Sequence, residues 1–236
     1  MLFWKKMPSL WIGNQIAEFN DLDTAKAIAA LKIYLTFCLF SKESSDGRRT
    51  VELTFTNLCE IASLSRSLVN EGLKILYAKE LIKNISPTVR KKIYTVDVLG
   101  SHADGWCKLP FKGVVSEDKK ISAFQSMHNR YPFELLALQV YMYLLYARDN
   151  RSEYTLARKK TICDKLKCKL PELNKAITYL IHIGLLDNAV KKAVEKHPLE
   201  LFHDSYYFYM TTGGFSALTY RKNDNLPVMS ENDLPF

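Results

Sequence analysis

No two of the five cysteines are separated by only two residues, and the chain has neither a GxxxxGK run nor two histidines flanking a single hydrophobic residue. The first absence argues against a thiolate zinc site and a disulfide framework. Cys38, Cys59, Cys107, Cys163 and Cys168 fall mostly in helical apolar patterns, where a free thiol acts as a small buried hydrophobe. The second absence removes a phosphate loop and the third a metal-dependent nickase site. His102, His128, His182, His197 and His203 are scattered. Long apolar runs are also missing: the stretch from Ala27 to Phe40 is broken by Lys32 and too short to span a bilayer, and the opening Met1-Leu2-Phe3-Trp4-Lys5-Lys6 is not a signal peptide. The expectation is a cytoplasmic protein that binds rather than catalyses, without metal or other cofactor.

Acidic residues are the scarcer charge. Thirty-three Lys and Arg against 25 Asp and Glu give +8 over 236 residues. Between Arg158 and Lys196 ten basic residues stand against four acidic ones, so one segment holds much of the excess. Such a balance favours a polyanionic partner, because Lys and Arg release counterions when they neutralise phosphates. A hydrophobic content of 47% suffices for one large core or two small ones.

Leu31, Tyr34, Leu35, Cys38 and Leu39 recur at the spacing of one helix face and predict an amphipathic helix. Val51 to Phe55 alternates as a strand, and Thr56 or Asn57 can cap a helix carrying Leu58, Cys59, Ile61 and Ala62. Ser63-Leu64-Ser65 makes a tight turn, after which Ser65 caps a longer helix with Leu68, Val69, Leu73 and Leu76 inward, ending near Lys79-Glu80. Leu81-Ile82 starts a strand, residues 86–92 turn, and Ile93 to Val98 returns. The stretch LTFTNLCEIASLSRSLVNEGLKILYAKELI, Leu53 to Ile82, resembles the winged helix-turn-helix superfamily. That resemblance implies a β-hairpin wing and DNA binding.

The second half repeats the first. A shift of 104 (163 − 59) carries Leu31 onto Leu135, Cys59 onto Cys163, Asn70 onto Asn174, Leu73 onto Ile177, Leu76 onto Leu180, and Leu81-Ile82 onto Leu185-Leu186, without a gap. It predicts helices over about Pro132–Arg148, Arg158–Leu166 and Pro171–Ile183, the last stopped by Gly184, and a second wing from Leu185 returning through Ser205 to Met210. The expected fold is α+β, mainly helical, with two tandem winged helix-turn-helix domains over 25–99 and 131–212. Residues 100–130 read as a linker. An apolar N-terminal arm over 1–24, with Trp4, Trp11, Ile12, Ile16 and Phe19, packs on its own core or reaches a second copy as a dimer arm. A disordered tail over 213–236 carries a host-protein-binding motif.

Candidate DNA-contacting residues follow from the faces left polar. On the first recognition helix these are Ser65, Arg66, Ser67, Asn70 and Lys74, beside Glu71; Arg can pair with guanine and Asn with adenine, while Ser and Lys reach phosphates. On the second they are Lys169, Asn174, Lys175 and Thr178, beside Glu172. Arg90, Lys91 and Lys92 occupy the first wing tip, Lys191 and Lys192 the second, and Arg158, Lys159 and Lys160 open the second helix-turn-helix. Tyr206, Tyr207 and Tyr209 could supply a strand-cleaving nucleophile, yet their alternation within a strand favours packing.

The chain closes on SENDLPF. This ending resembles the C-terminal peptide of bacterial single-stranded-DNA-binding proteins, an acidic run closed by Asp-(Ile/Leu)-Pro-Phe, with Asn232 here where a further acid is usual. The resemblance implies that Asp233, Leu234, Pro235 and Phe236 dock host replication or repair proteins through the terminal ring and its carboxylate. Two winged helices in one chain of this length resemble the replication initiators of plasmids and related mobile elements, which bind repeated double-stranded origin sequences. A transcriptional regulator with the same fold is the alternative, and a tyrosine-dependent strand-cleaving enzyme a third class.

Overall fold

The computed structural model describes residues 3–44, 48–86, 92–96, 105–192 and 205–211. It is α+β, about half helical, with several small antiparallel sheets. β1 (Trp4–Pro8) leads into α1 (Leu10–Gln15) and a 3-10 turn (Ile16–Asp21), then α2 (Thr24–Phe40), β2 (Lys42–Glu43), β3 (Arg49–Glu52), α3 (Phe55–Ala62), α4 (Arg66–Ala78), β4 (Lys83–Asn84) and β5 (Ile93–Thr95). The chain continues through β6 (Trp106–Pro110), α5 (Ser122–Gln125), α6 (Pro132–Ala147), β7 (Tyr154–Arg158), α7 (Lys159–Leu166), α8 (Leu170–His182), β8 (Leu186–Lys191) and β9 (Ser205–Met210).

The internal repeat extends to the backbone. The bounds of α3 and α4 fall on those of α7 and α8 under the same shift of 104 (170 − 66). Between the paired helices Ser63 and Lys167 are both left-handed, at φ 51 and 54, a conformation that non-glycine residues adopt only where the surroundings fix it. Leu64 N–H bonds the Cys59 carbonyl at 3.0 Å and Cys168 N–H that of Cys163 at 3.1 Å. α4 and α8 also end alike, on left-handed Glu80 and Gly184, with Leu81 N–H to Leu76 O and Leu185 N–H to Leu180 O both at 2.9 Å. In each half the last strand is an inner one: β5 lies between β3 and β4, with β2 outside β3, and β9 lies between β7 and β8. The caps refine the expected starts. Ser65 caps α4, accepting from Leu68 N–H at 3.2 Å, whereas α3 begins earlier than expected because Thr54 accepts from Asn57 N–H at 3.1 Å.

α2 is not the one-sided helix its apolar spacing suggests. Every residue from Ala27 to Leu39 is buried, Lys32 and Thr36 included, and α6 is buried almost as completely. The reason lies in what covers them. α4 and α8 pack on one side of these central helices, and the flanking segments close the rest. The N-terminal segment packs on this core: Trp11 Nε1 donates to Tyr34 Oη at 3.0 Å, Tyr34 Oη donates to the Pro8 carbonyl at 2.7 Å, and Ile12, Ile16 and Phe19 are buried. The stretch read as a linker also holds a strand, β6, which pairs antiparallel with β1, and buries Val114, Ile121, Phe124 and Met127. Among the described residues no helix is long and apolar enough to cross a membrane.

Lys32 is the one fully buried lysine among the described residues of that core. Its ammonium donates to Asn129 Oδ1 at 2.7 Å, the Phe124 carbonyl at 3.2 Å and the Ser63 carbonyl at 3.3 Å, so it fastens the α3–α4 turn to the stretch preceding α6. Burial lowers its pKa to about 7 against the raising influence of the Glu134 charge. The folded value therefore lies below that of the unfolded chain. Between about pH 7 and the ordinary value of 10.5 the unfolded state holds more protons, and stability should rise with pH across that window. Denaturant midpoints measured across it should climb less steeply for Lys32→Met than for the parent.

Candidate nucleic-acid interface

α4 buries Val69, Gly72, Leu73 and Leu76 and leaves Arg66, Ser67, Asn70 and Lys74 exposed. Leu68, expected inside, sits half-buried at the edge of the stripe, because Gly72 takes the place nearest α2. Arg66 is held in position: Nη2 donates to Thr56 Oγ1 at 3.2 Å and the guanidinium lies 5.6 Å from the Phe55 ring centre. Lys74 and Lys26 both reach the Glu71 carboxylate, at 2.7 and 3.2 Å, and their hydrogen bonds hold its pKa below the usual range. Ser65 Oγ is engaged at the helix cap. Asn70 is the exposed amide one turn further on.

The second half gathers its basic residues more closely. Lys169 at the N-cap of α8 and Glu172, Asn174, Lys175 and Thr178 on it are exposed, with Leu173, Ala176, Ile177 and Leu180 beneath. Lys159 Nζ donates to Asn174 Oδ1 at 2.9 Å and lies 4.1 Å from the Tyr206 ring centre, joining α7, α8 and β9. The sheet register sets Arg158 opposite Ser205 and Lys191 opposite Tyr206, and Lys192 N–H donates to the Ser205 carbonyl at 2.8 Å. Two adjacent pairs of cations, Arg158-Lys159 and Lys191-Lys192, far apart from each other in sequence, thus share one end of the β7-β9-β8 sheet, with Lys160 exposed beside them. Lys175 Nζ is 4.4 Å from the Phe133 ring centre. At the corresponding end of the first sheet Glu52 faces Ile93 and Lys92 is half-buried, while Arg90 and Lys91 lie outside the described residues.

Tyr207 and Tyr209 pack against Tyr154, at 5.0 and 5.8 Å between ring centres, and Tyr206 lies against Phe208 at 6.2 Å. These rings are packing partners within one sheet. Asp233, Leu234, Pro235 and Phe236 lie outside the described residues.

One cluster is not evident from the sequence. On the β1–β6 ribbon Trp4 and Trp106 stack at 5.8 Å and 10°, and Lys6 and Lys108 point over the opposite indoles. Its signal is Trp-x-Lys in both strands, Trp4-Lys5-Lys6 and Trp106-Cys107-Lys108, in segments whose composition suggests an arm and a linker. No protein-family model matches the chain, and no curated protein matches it in sequence.

Proposed function

We propose that this chain is a sequence-specific double-stranded-DNA-binding protein built from two tandem winged helix-turn-helix units, and that it acts as the replication initiator of a plasmid or mobile element. The observation that carries the reading is the repeated helix pair. α3–α4 and α7–α8 have matching bounds and turns, each pair is followed by a hairpin, and each second helix buries four residues while keeping Asn70 or Asn174 and neighbouring cations exposed. An exposed helix face of this chemistry suits a major groove, and the cations at one end of the second sheet suit phosphates.

Selection of bound sequences from random DNA tests the reading. Repeated sites beside an AT-rich region support initiation, and a single operator overlapping a promoter supports transcriptional control instead. Against the selected duplex, Arg66→Ala and Asn70→Ala should each lose about 1–3 kcal/mol of specific binding and relax discrimination at one base. Both side chains are exposed, so the fold should survive and circular dichroism should be unchanged. Matched and mismatched duplexes give the measurement; variants that bind all of them as the parent does exclude α4 as the reader.

Recruitment of host replication proteins is assigned to the ending Asp233-Leu234-Pro235-Phe236. Deleting Phe236 should abolish capture of bacterial proteins that bind single-stranded-DNA-binding-protein tails, with duplex affinity unchanged, and a peptide ending in Asp-Leu-Pro-Phe should compete. A pull-down from bacterial lysate with the parent and the deletion, both competent for DNA, reads the difference.

A further inference from the structure

The outward face of the β1–β6 ribbon has a chemistry that neither helix pair explains. Antiparallel register sets Lys6 directly opposite Lys108, and the neighbouring positions on that face are Trp4 and Trp106. Like charges opposed across a strand pair repel, and among the described residues no carboxylate forms an ion pair with either lysine. The indoles remain substantially open, 36% and 38% exposed. The inward face and the backbone edge of β6, by contrast, are anchored. Met7, Cys107 and Leu109 are buried, Arg148 Nη2 donates to the Lys108 carbonyl, and Asn150 Oδ1 accepts from Lys108 N–H at 3.0 Å. Fixed strands thus display aromatic rings interleaved with lysines.

We infer that this face binds a single-stranded nucleic acid, its bases stacking on Trp4 and Trp106 and its phosphates held by Lys6 and Lys108. The charge on this face selects the occupant. An apolar partner would leave two opposed ammonium groups unneutralised. Duplex DNA would offer phosphates but keep its bases away from the indoles, and a single strand supplies both anions and exposed π-faces. The site is independent of the duplex reading, because it lies on neither α4 nor α8.

The test is intrinsic fluorescence of the full chain titrated with an oligothymidylate of about 16 nucleotides. Trp11 is tied to Tyr34 within the core, so quenching should report Trp4 and Trp106. Trp4→Ala and Trp106→Ala should each weaken binding by about tenfold, and Trp106→Phe should retain most of it. Lys6→Glu with Lys108→Glu should abolish binding, while the corresponding alanines should flatten the dependence of log affinity on log salt by about 0.7 for each phosphate no longer neutralised. Arg66→Ala should bind the oligonucleotide as the parent does, which separates this site from failure of duplex recognition. Equal or tighter binding of an oligouridylate of the same length would uphold the platform and name RNA as its ligand. Unchanged fluorescence on titration, or variants that all bind like the parent, would overturn the inference. So would a parent that sediments as a dimer, ignores the oligonucleotide, and becomes monomeric on Trp106→Ala, since the ribbon would then join two copies of the chain.

Discussion

Glu134→Ala is expected to lower the free energy of unfolding by about 3–5 kcal/mol, read as a shift of the denaturant midpoint. The carboxylate is fully buried at the start of α6, where it accepts from the backbone N–H groups of His128 at 2.6 Å, Arg130 at 3.0 Å and Tyr131 at 3.1 Å, and from Tyr179 Oη at 3.2 Å. Alanine would leave these donors without an acceptor and remove the negative charge facing Lys32. Burial alone would raise the Glu134 pKa. The three backbone donors and Tyr179 together outweigh it and leave the pKa below the ordinary 4.5. Its folded value is therefore depressed, so the stability it confers is fully present above the unfolded value and is lost as pH falls through the folded one. Glu134→Gln keeps one acceptor oxygen and should fall between the parent and alanine, with a flatter acid limb. A parent-like midpoint for Glu134→Ala would mean that these hydrogen bonds contribute little beyond what water supplies in the unfolded chain.

Gly72→Leu should cost about 3 kcal/mol and disturb the same helix that presents Arg66 and Asn70. A Cβ at Gly72 would stand 2.7 Å from Ile33 Cδ1 and 3.0 Å from the backbone of both Ala29 and Ala30. The isoleucine end can rotate, but the backbone of α2 is held by a helix buried on every side. Against this, any residue replacing glycine within a helix recovers up to about 1 kcal/mol of propensity, so Gly72→Ala should cost much less than leucine. Ala176 occupies the matching place on α8, fully buried, and shows that the second half accommodates one methyl there. Chemical denaturation of the parent, Gly72→Ala and Gly72→Leu orders the three. A leucine variant as stable as the parent would show that α2 and α4 can move apart without loss.

The helices and the repeat were legible because their signals are local. Ser65 as a cap and the Leu81-Ile82 pair after the turn depend on a few neighbouring residues. What depended on distant partners was not legible. Lys32 read as an interruption of an apolar run, since its acceptors at Ser63, Phe124 and Asn129 come together only when the chain has closed. The same holds for β6, five residues whose strand character requires β1 as a neighbour. Gly72 gives no periodic signal because it has no side chain, although that absence sets how closely α4 approaches α2. On the candidate interface, residue types were readable and their grouping was not. Lys159 and Asn174 stand out separately in the sequence, and only the packing of α7 against α8 brings them within 2.9 Å.

The pairing of β1 with β6 also imposes an order in time. Trp106, on the partner strand, leaves the ribosome about a hundred residues after Trp4. At typical synthesis rates that interval is about 5–20 s. Throughout it, β1 has an unsatisfied edge, and the Phe124 and Asn129 groups that will receive the Lys32 ammonium do not yet exist. The first helix pair can form early, but its central helix keeps one side wet until the middle of the chain arrives. A nascent chain stalled before Trp106 should therefore be a better chaperone client than one stalled after Asn129.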